Sequence, residues 1–107
     1  MDNKVPDLVL QFEANHPCGA GHFPGNPIIP GALLLHEVLS RIASALALNN
    51  PSWQIKSAKF PQSVRPGDTV HITYTQAVSG AIRFSCTVSD GKVLSGVALP
   101  QPVEESP

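Results

Sequence analysis

The chain has 107 residues and a mass of 11.3 kDa, which fits one domain and leaves no room for two. Its 7 Lys and Arg balance 8 Asp and Glu, so it lacks the basic excess with which proteins bind nucleic acid or anionic membranes. Charged residues make up only 14% of the chain, well below the usual share. This scarcity predicts that another subunit covers part of the surface, and a homodimer is expected.

Features of the whole chain predict a soluble cytoplasmic protein. Residues 1–4 carry no positive region followed by an apolar run, so they do not form a secretory signal. No stretch approaches the roughly 20 apolar residues that cross a bilayer. Cys18 and Cys86 are accordingly predicted to be free, partly buried thiols rather than a disulfide.

The first third of the chain is predicted to hold a short strand and a long loop. Residues 8–13 alternate apolar and polar side chains, which is typical of a strand. Residues 15–31 contain four Pro and four Gly, a composition that no helix or strand tolerates. We therefore expect a rigid, structured loop, and such loops are frequently functional. It carries His16 and His22, two of the four histidines.

One helix is predicted over residues 32–49. Apolar residues recur there at every third or fourth position, in a stripe broad enough for a mostly buried helix. Pro30 and Gly31 precede it, and residues 49–51 (Asn-Asn-Pro) end it.

The remainder is predicted to be four strands, because apolar residues alternate with polar ones between turn residues. Ser79-Gly80 and Asp90-Gly91 predict two-residue hairpins, so the last three strands form a meander. One helix on one antiparallel sheet is a two-layer α+β domain. The predicted strands cover residues 53–60, 69–78, 81–89 and 92–99.

The whole chain, 1–107, is predicted to be a single domain with a core over 8–99. Residues 1–7 and 100–107 are expected to be flexible, because they are polar or rich in Pro and Glu.

The segment before the helix has the residue types of an acid–base site. His22 lies in a loop braced by prolines, and histidine is the natural general base near neutral pH. Gly31 lies at the helix start, where the first N–H groups lack intrahelical partners and can hold a developing oxyanion. A base beside such donors is what removal of an α-proton from an acyl thioester requires.

The same residues also permit plainer interpretations. A histidine in a turn is more often a surface or hydrogen-bonded residue than a catalytic one, and prolines can simply stiffen a crossover. His16, Cys18 and His22 are a weak candidate for a zinc site, because their spacing is unusual and no fourth ligand is evident. The sequence therefore predicts neither a metal nor a cofactor.

Two segments resemble the hot-dog-fold 3-hydroxyacyl-acyl-carrier-protein dehydratases, the FabZ- and FabA-like family of fatty-acid synthesis. Residues 21–31, GHFPGNPIIPG, match every fixed position of that family's loop before the central helix. Residues 59–68, KFPQSVRPGD, resemble the family's KF-x-x-x-V-x-PGD connection. The resemblance covers about residues 8–99. It implies one central helix wrapped by an antiparallel sheet, and a dimer whose sheet continues across two subunits.

The resemblance also implies roles for matched residues. His22 takes the position of the base that removes the α-proton, and the N–H of Gly31 that of the donor to the thioester carbonyl. Phe23 and Ala32, next to them in the chain, are assigned to substrate binding. The implied reaction converts a 3-hydroxyacyl thioester into a trans-2-enoyl thioester, in fatty-acid or polyketide-like biosynthesis. The acyl group would be carried by acyl carrier protein or coenzyme A.

One position departs from the family. The family's acid, Glu or Asp, stands 14 residues after the histidine and comes from the other subunit, and this chain has His36 there. His36 could donate the proton itself, or a shifted helix could bring in Glu37, which is rotated by about 100°. A third possibility is a non-catalytic relative that binds acyl groups or pairs with another subunit. A thioesterase in which Glu37 positions water is a further alternative.

Overall fold

A five-stranded antiparallel sheet and one helix form the fold of the described residues. The structure is a computed structural model that describes residues 7–13, 28–49, 51–89 and 91–101. The elements are β1 (Asp7–Gln11), α1 (Gly31–Ala45), β2 (Ser52–Lys59), β3 (Thr69–Gln76), β4 (Ile82–Val88) and β5 (Gly91–Gln101).

The strands lie in the order β1-β3-β4-β5-β2, so β1 and β2 are the edges of the sheet. β3, β4 and β5 form the predicted meander, and α1 connects the two edge strands. One face of α1 packs against one face of the sheet, which confirms the α+β prediction. The core between them includes Leu34, Val38 and Ile42 of the helix and Ile72 and Phe84 of the sheet, all at most 2% exposed.

The helix ends at Ala45, four residues before the predicted end. Ala47 adopts a left-handed conformation with φ 57°. The N–H of Ala47 donates to the carbonyl of Ser44 (3.1 Å), and that of Leu48 to the carbonyl of Ala43 (2.9 Å). This pair of bonds is a Schellman motif, in which the αL residue is usually glycine. Because alanine occupies that position here, the sequence carried no stop signal before residue 49.

The folded part of the chain is longer than the predicted core by one residue at its start and by two residues at its end. Asp7 belongs to β1 and pairs with Thr73, and Pro100 and Gln101 belong to β5, although all three were expected to be flexible. Towards its C-terminal end, β5 pairs with β4 only as far as Ala98. From Leu99 to Gln101, the strand paired with β5 is β2. A proline fits there because it needs to donate no hydrogen bond on the open side.

The two hairpin predictions have different outcomes. Val88 pairs with Gly91, which agrees with a two-residue connection, although Asp90 itself lies outside the described residues. Between β3 and β4, the N–H of Ala77 donates to the carbonyl of Ala81 (2.8 Å), so three residues form the loop. Gly80 takes a positive φ of 96°, as the last residue of three-residue loops commonly does. The predicted two-residue loop, Ser79-Gly80, was therefore wrong by one residue, because the loop has three.

Cys86 is a buried free thiol, as predicted, whereas Cys18 lies outside the described residues. Within the described ranges, no helix is long and apolar enough to span a membrane.

Candidate active site

The connection between β2 and β3 contains a tight turn that its sequence explains. Asp68 donates its N–H to the carbonyl of Arg65 (3.0 Å), and Gly67 has a positive φ of 96°. Pro66 and Gly67 thus occupy the second and third positions that a type II turn favours. The Asp68 carboxylate accepts a hydrogen bond from the N–H of Arg65 (2.9 Å). This is a second hydrogen bond between the first and last residues of the turn.

This connection holds two distant parts of the chain. Gly67 donates its N–H to the carbonyl of Phe12 (2.8 Å), and Phe12 donates to the carbonyl of Asp68 (3.3 Å). Ile29 donates its N–H to the carbonyl of Val64 (2.7 Å). Both ends of the chain segment between Phe12 and Ile29 are therefore anchored on five neighbouring residues, 64–68.

The first N–H groups of α1 have no hydrogen-bond partner among the described residues. Pro30 precedes α1 in an extended conformation (φ −58°, ψ 141°), and no side chain caps the helix. Leu34 is the first residue whose N–H bonds within the helix, to the carbonyl of Pro30 (3.0 Å). Among the described residues, none accepts a hydrogen bond from the N–H groups of Gly31, Ala32 or Leu33. Together with the helix dipole, these groups favour a negative charge at this end.

A cavity of about 190 Å³ adjoins Gly31, the first residue of the helix. The ring of Phe60 lies against Gly31: a Cβ placed on that glycine would be 3.2 Å from the Cε1 atom of Phe60. Phe60 is 45% exposed, so its ring covers the helix start without being locked in the core. The lining includes Ile28, Gly31, Leu34, Phe60, Gln62 and Ser63.

His36 lies in a different depression. It is exposed on α1 and lines a groove of about 390 Å³, between the helix and the start of β2, together with Ser40, Ser44 and Trp53. Glu37 is half-buried and does not line this groove. The groove shares no lining residue with the cavity at Gly31. Within one described chain, neither His36 nor Glu37 therefore lines the cavity at Gly31.

Comparison with known proteins identifies the family. The profile of the ApeI-like family, described as ApeI dehydratase, matches residues 2–97. The chain belongs to this family.

Curated relatives of this ApeI-like chain are named 3-hydroxyacyl-acyl-carrier-protein dehydratase FabZ. The protein from Levilactobacillus brevis is 39% identical over 82 residues, which cover 67% of this chain and 55% of that protein. The protein from Rickettsia bellii is 34% identical over 103 residues, 85% of this chain and 70% of that protein. The chain spans about half the length of the first few of these relatives, 46% to 55%.

Solved structures share the fold of this ApeI-like chain. A chain of the dehydratase heterocomplex ApeI:P from Xenorhabdus doucetiae superposes with a TM-score of 0.71 at 21% identity, covering 89% of this chain and 85% of that one. The (R)-hydratase from A. caviae involved in PHA biosynthesis superposes with a TM-score of 0.66 at 16% identity, covering 94% and 95%. These likenesses confirm the hot-dog fold.

Several predicted site residues lie outside the described part of the chain, namely His16, Cys18, His22 and Phe23. Their roles remain predictions. Within the described ranges, no group of three His, Cys, Asp or Glu side chains is placed to hold a metal ion.

The sequence predicted no role for Phe60, although this residue belongs to the segment, residues 59–68, that resembles the family. Phe60 lies 29 residues after Gly31 in the chain, so only the tertiary structure could reveal their contact.

Proposed function

We propose that the chain is a dehydratase that removes water from 3-hydroxyacyl thioesters, and adds water to trans-2-enoyl thioesters in the reverse direction. The observation that carries this proposal is the start of α1, where Gly31 lines a cavity covered by Phe60 and no described residue accepts a hydrogen bond from its N–H. Membership of the ApeI-like dehydratase family supports the reaction, and the names of the FabZ relatives support acyl carrier protein as the carrier.

In the proposed mechanism, the thioester carbonyl accepts a hydrogen bond from the N–H of Gly31, which stabilises the negative charge that develops on the oxygen. His22 removes the α-proton, and the electron pair of that C–H bond forms the C2–C3 double bond. The 3-hydroxyl leaves with a proton from His36, as water. Proton exchange with solvent then restores both histidines. The thioester itself acidifies the α-proton, so the step uses no metal or cofactor.

We further propose that the active site is shared by two subunits of a homodimer. The family resemblance assigns the acid to the partner subunit, and the separation of His36 from the Gly31 cavity supports that assignment. The edge strand β2 offers eight residues for pairing with a second copy. A carrier-bound synthesis of fatty-acid or polyketide-like chains is expected in the cytoplasm.

The test is hydration of trans-2-enoyl thioesters of several chain lengths, on acyl carrier protein and on coenzyme A, by the full chain. Loss of the conjugated enoyl thioester is followed by ultraviolet absorbance and the product by mass. His22→Ala should lower kcat/KM by about 100-fold or more, because a general base is removed. Absence of hydration with every thioester, at high enzyme concentration, would contradict the proposal.

The same assay separates the alternatives. A thioesterase releases a free thiol, which a thiol reagent detects without loss of the double bond. A non-catalytic relative gains activity from a near-zero baseline when the family's acid is restored by His36→Glu. Loss of activity in that variant instead supports His36 as the acid.

A further inference from the structure

The cavity at Gly31 has two polar side chains in a lining that is otherwise apolar. Gln62 and Ser63, both exposed, belong to the β2–β3 connection, and no charged side chain of the described residues lines the cavity. Its volume of about 190 Å³ is several times the roughly 30 Å³ that one water molecule occupies in the liquid. The lining therefore fits an uncharged segment of a ligand that combines apolar and polar groups.

The backbone on either side of these two polar residues is held in place. Lys59, three residues before Gln62, ends β2 within its pairing with β5. Val64, directly after Ser63, is buried and accepts the hydrogen bond from the N–H of Ile29 (2.7 Å). A ligand that binds Gln62 and Ser63 therefore has little main chain to order, which favours binding.

The side-chain amide of Gln62 has no hydrogen-bond partner within the described part of the chain, and the same is true of the Ser63 hydroxyl. The Oε1 atom of Gln62 lies close to the first residue of β5, since a Cβ placed on Gly91 would be 3.4 Å from it. The amide is exposed, so it exchanges water for a ligand without first breaking a bond within the described protein.

We propose that Gln62 binds the amide of the thiol arm in the substrate thioester, and so selects the pantetheine arm that acyl carrier protein and coenzyme A share. The inference rests on the proposed function, which puts the thioester carbonyl at the N–H of Gly31. A short ethylene linker joins the thioester sulfur to the nearest amide, so that amide reaches the cavity beside Gly31. The side chain of glutamine both donates and accepts hydrogen bonds, which matches a secondary amide.

The test measures the binding of saturated thioesters, which cannot be hydrated, by NMR titration of the full chain. S-butyryl-N-acetylcysteamine carries the amide, and a matched ester carries an oxygen atom in place of the amide N–H. Wild type should bind the amide about tenfold more tightly, because the ester leaves an acceptor on Gln62 without a donor. Gln62→Met should bind the two ligands with dissociation constants that agree within about twofold.

Gln76→Met is the control. Gln76 is also exposed, but it ends β3, whereas Gln62 precedes the start of that strand. This variant should keep the preference of about tenfold for the amide. Each comparison is between two ligands on the same protein, so a general loss of structure weakens both and leaves their ratio unchanged.

Three results would overturn the proposal. In the first, wild type binds the amide and the ester equally, and in the second, Gln62→Met keeps the preference. In the third, hexanoyl and butyryl thioesters show that Gln62→Met alters the dependence on acyl length instead, which assigns the cavity to the acyl chain. Failure of the proposed function is a separate result, because it appears as absence of hydration by wild type.

Discussion

Adjacent helix positions give His36 and Glu37 different surroundings, although either could act as a proton donor. A step of one residue turns the side chain by about 100° around the helix axis. His36 lines the open groove next to Ser40, whereas Glu37 is half-buried and outside that groove. This placement favours His36 as the proton donor in the proposed reaction.

A matched pair of variants tests this assignment. His36→Gln should lower kcat for hydration by about 100-fold, because it removes a general acid without a large change in volume. Glu37→Gln, one residue away, should change kcat by less than about threefold. The opposite order of effects would identify Glu37 as the acid. Thermal unfolding of both variants controls for loss of fold.

Cys86 illustrates how burial changes the chemistry of one side chain. It is fully buried in β4 between β3 and β5, and burial raises the pKa of its thiol from 9.0 to about 12. The folded protein thus holds the thiol in its neutral form, which is a poor nucleophile.

This shift predicts a specific loss of stability in alkali. Because the folded pKa exceeds the unfolded value, the stabilisation is complete below pH 9 and disappears as pH rises towards 12. The thiol should lower the free energy of unfolding by up to about 1.4 kcal/mol per pH unit in this range. Urea unfolding of wild type and Cys86→Ala measures it, since the variant lacks this titration. Parallel pH dependences of the two proteins would contradict the prediction.

At the level of elements, the end of α1 carries a local strain. Ala47 occupies the left-handed position of the Schellman motif, which costs a residue with a Cβ about 1–2 kcal/mol. The motif persists because its hydrogen bonds satisfy the last helix carbonyls and because Leu48 continues towards β2.

Ala47→Gly should therefore stabilise the protein by about 0.5–1 kcal/mol, the relief of strain less the greater freedom of glycine in the unfolded chain. The control is Ala45→Gly, two residues earlier and also exposed but within the helix, which should destabilise by about the same amount. Chemical denaturation gives both values. If both substitutions change the free energy of unfolding in the same direction, Ala47 is not strained in solution.

The β2–β3 connection determines how the other elements meet. It binds Phe12 on one side through Gly67 and Asp68, and Ile29 on the other through Val64. A turn that looks like a simple link between strands thus anchors both ends of the segment that carries His22. The described end of the first family-like segment thus contacts the second, through the hydrogen bond from Ile29 to Val64.

At the scale of the whole molecule, the proposed active site needs two subunits. His22 of one subunit would act with His36 of the other, so two inactive variants should complement each other. A dimer formed from one His22→Ala and one His36→Gln subunit has one doubly altered site and one intact site.

Random exchange of subunits between equal amounts of the two variants should therefore restore about one quarter of the wild-type activity. Half of the dimers are then mixed, and half of the sites in those mixed dimers are intact. The measurement is hydration activity after mild denaturation and refolding of the mixture. Each variant refolded alone is the control and should stay inactive. No recovery, in a mixture shown by mass spectrometry to contain mixed dimers, would place both residues of each site in one subunit.

The sequence by itself determined the fold class, the order of the elements and the position of the helix start. These follow from patterns between near neighbours: strand alternation, helical spacing of apolar residues, and prolines and glycines that exclude regular structure. The type II turn at residues 65–68 is encoded in the same way, because proline and glycine restrict their own backbones.

Tertiary structure decided what depends on residues far apart in the chain. The contact of Phe60 with Gly31 and the two anchors on the β2–β3 connection both follow from strand register and packing. The end of α1 belongs with them, since alanine has no preference for the left-handed conformation that it adopts there. A sequence pattern reports how each residue prefers to behave locally, whereas these contacts arise only when several elements bury their apolar faces together.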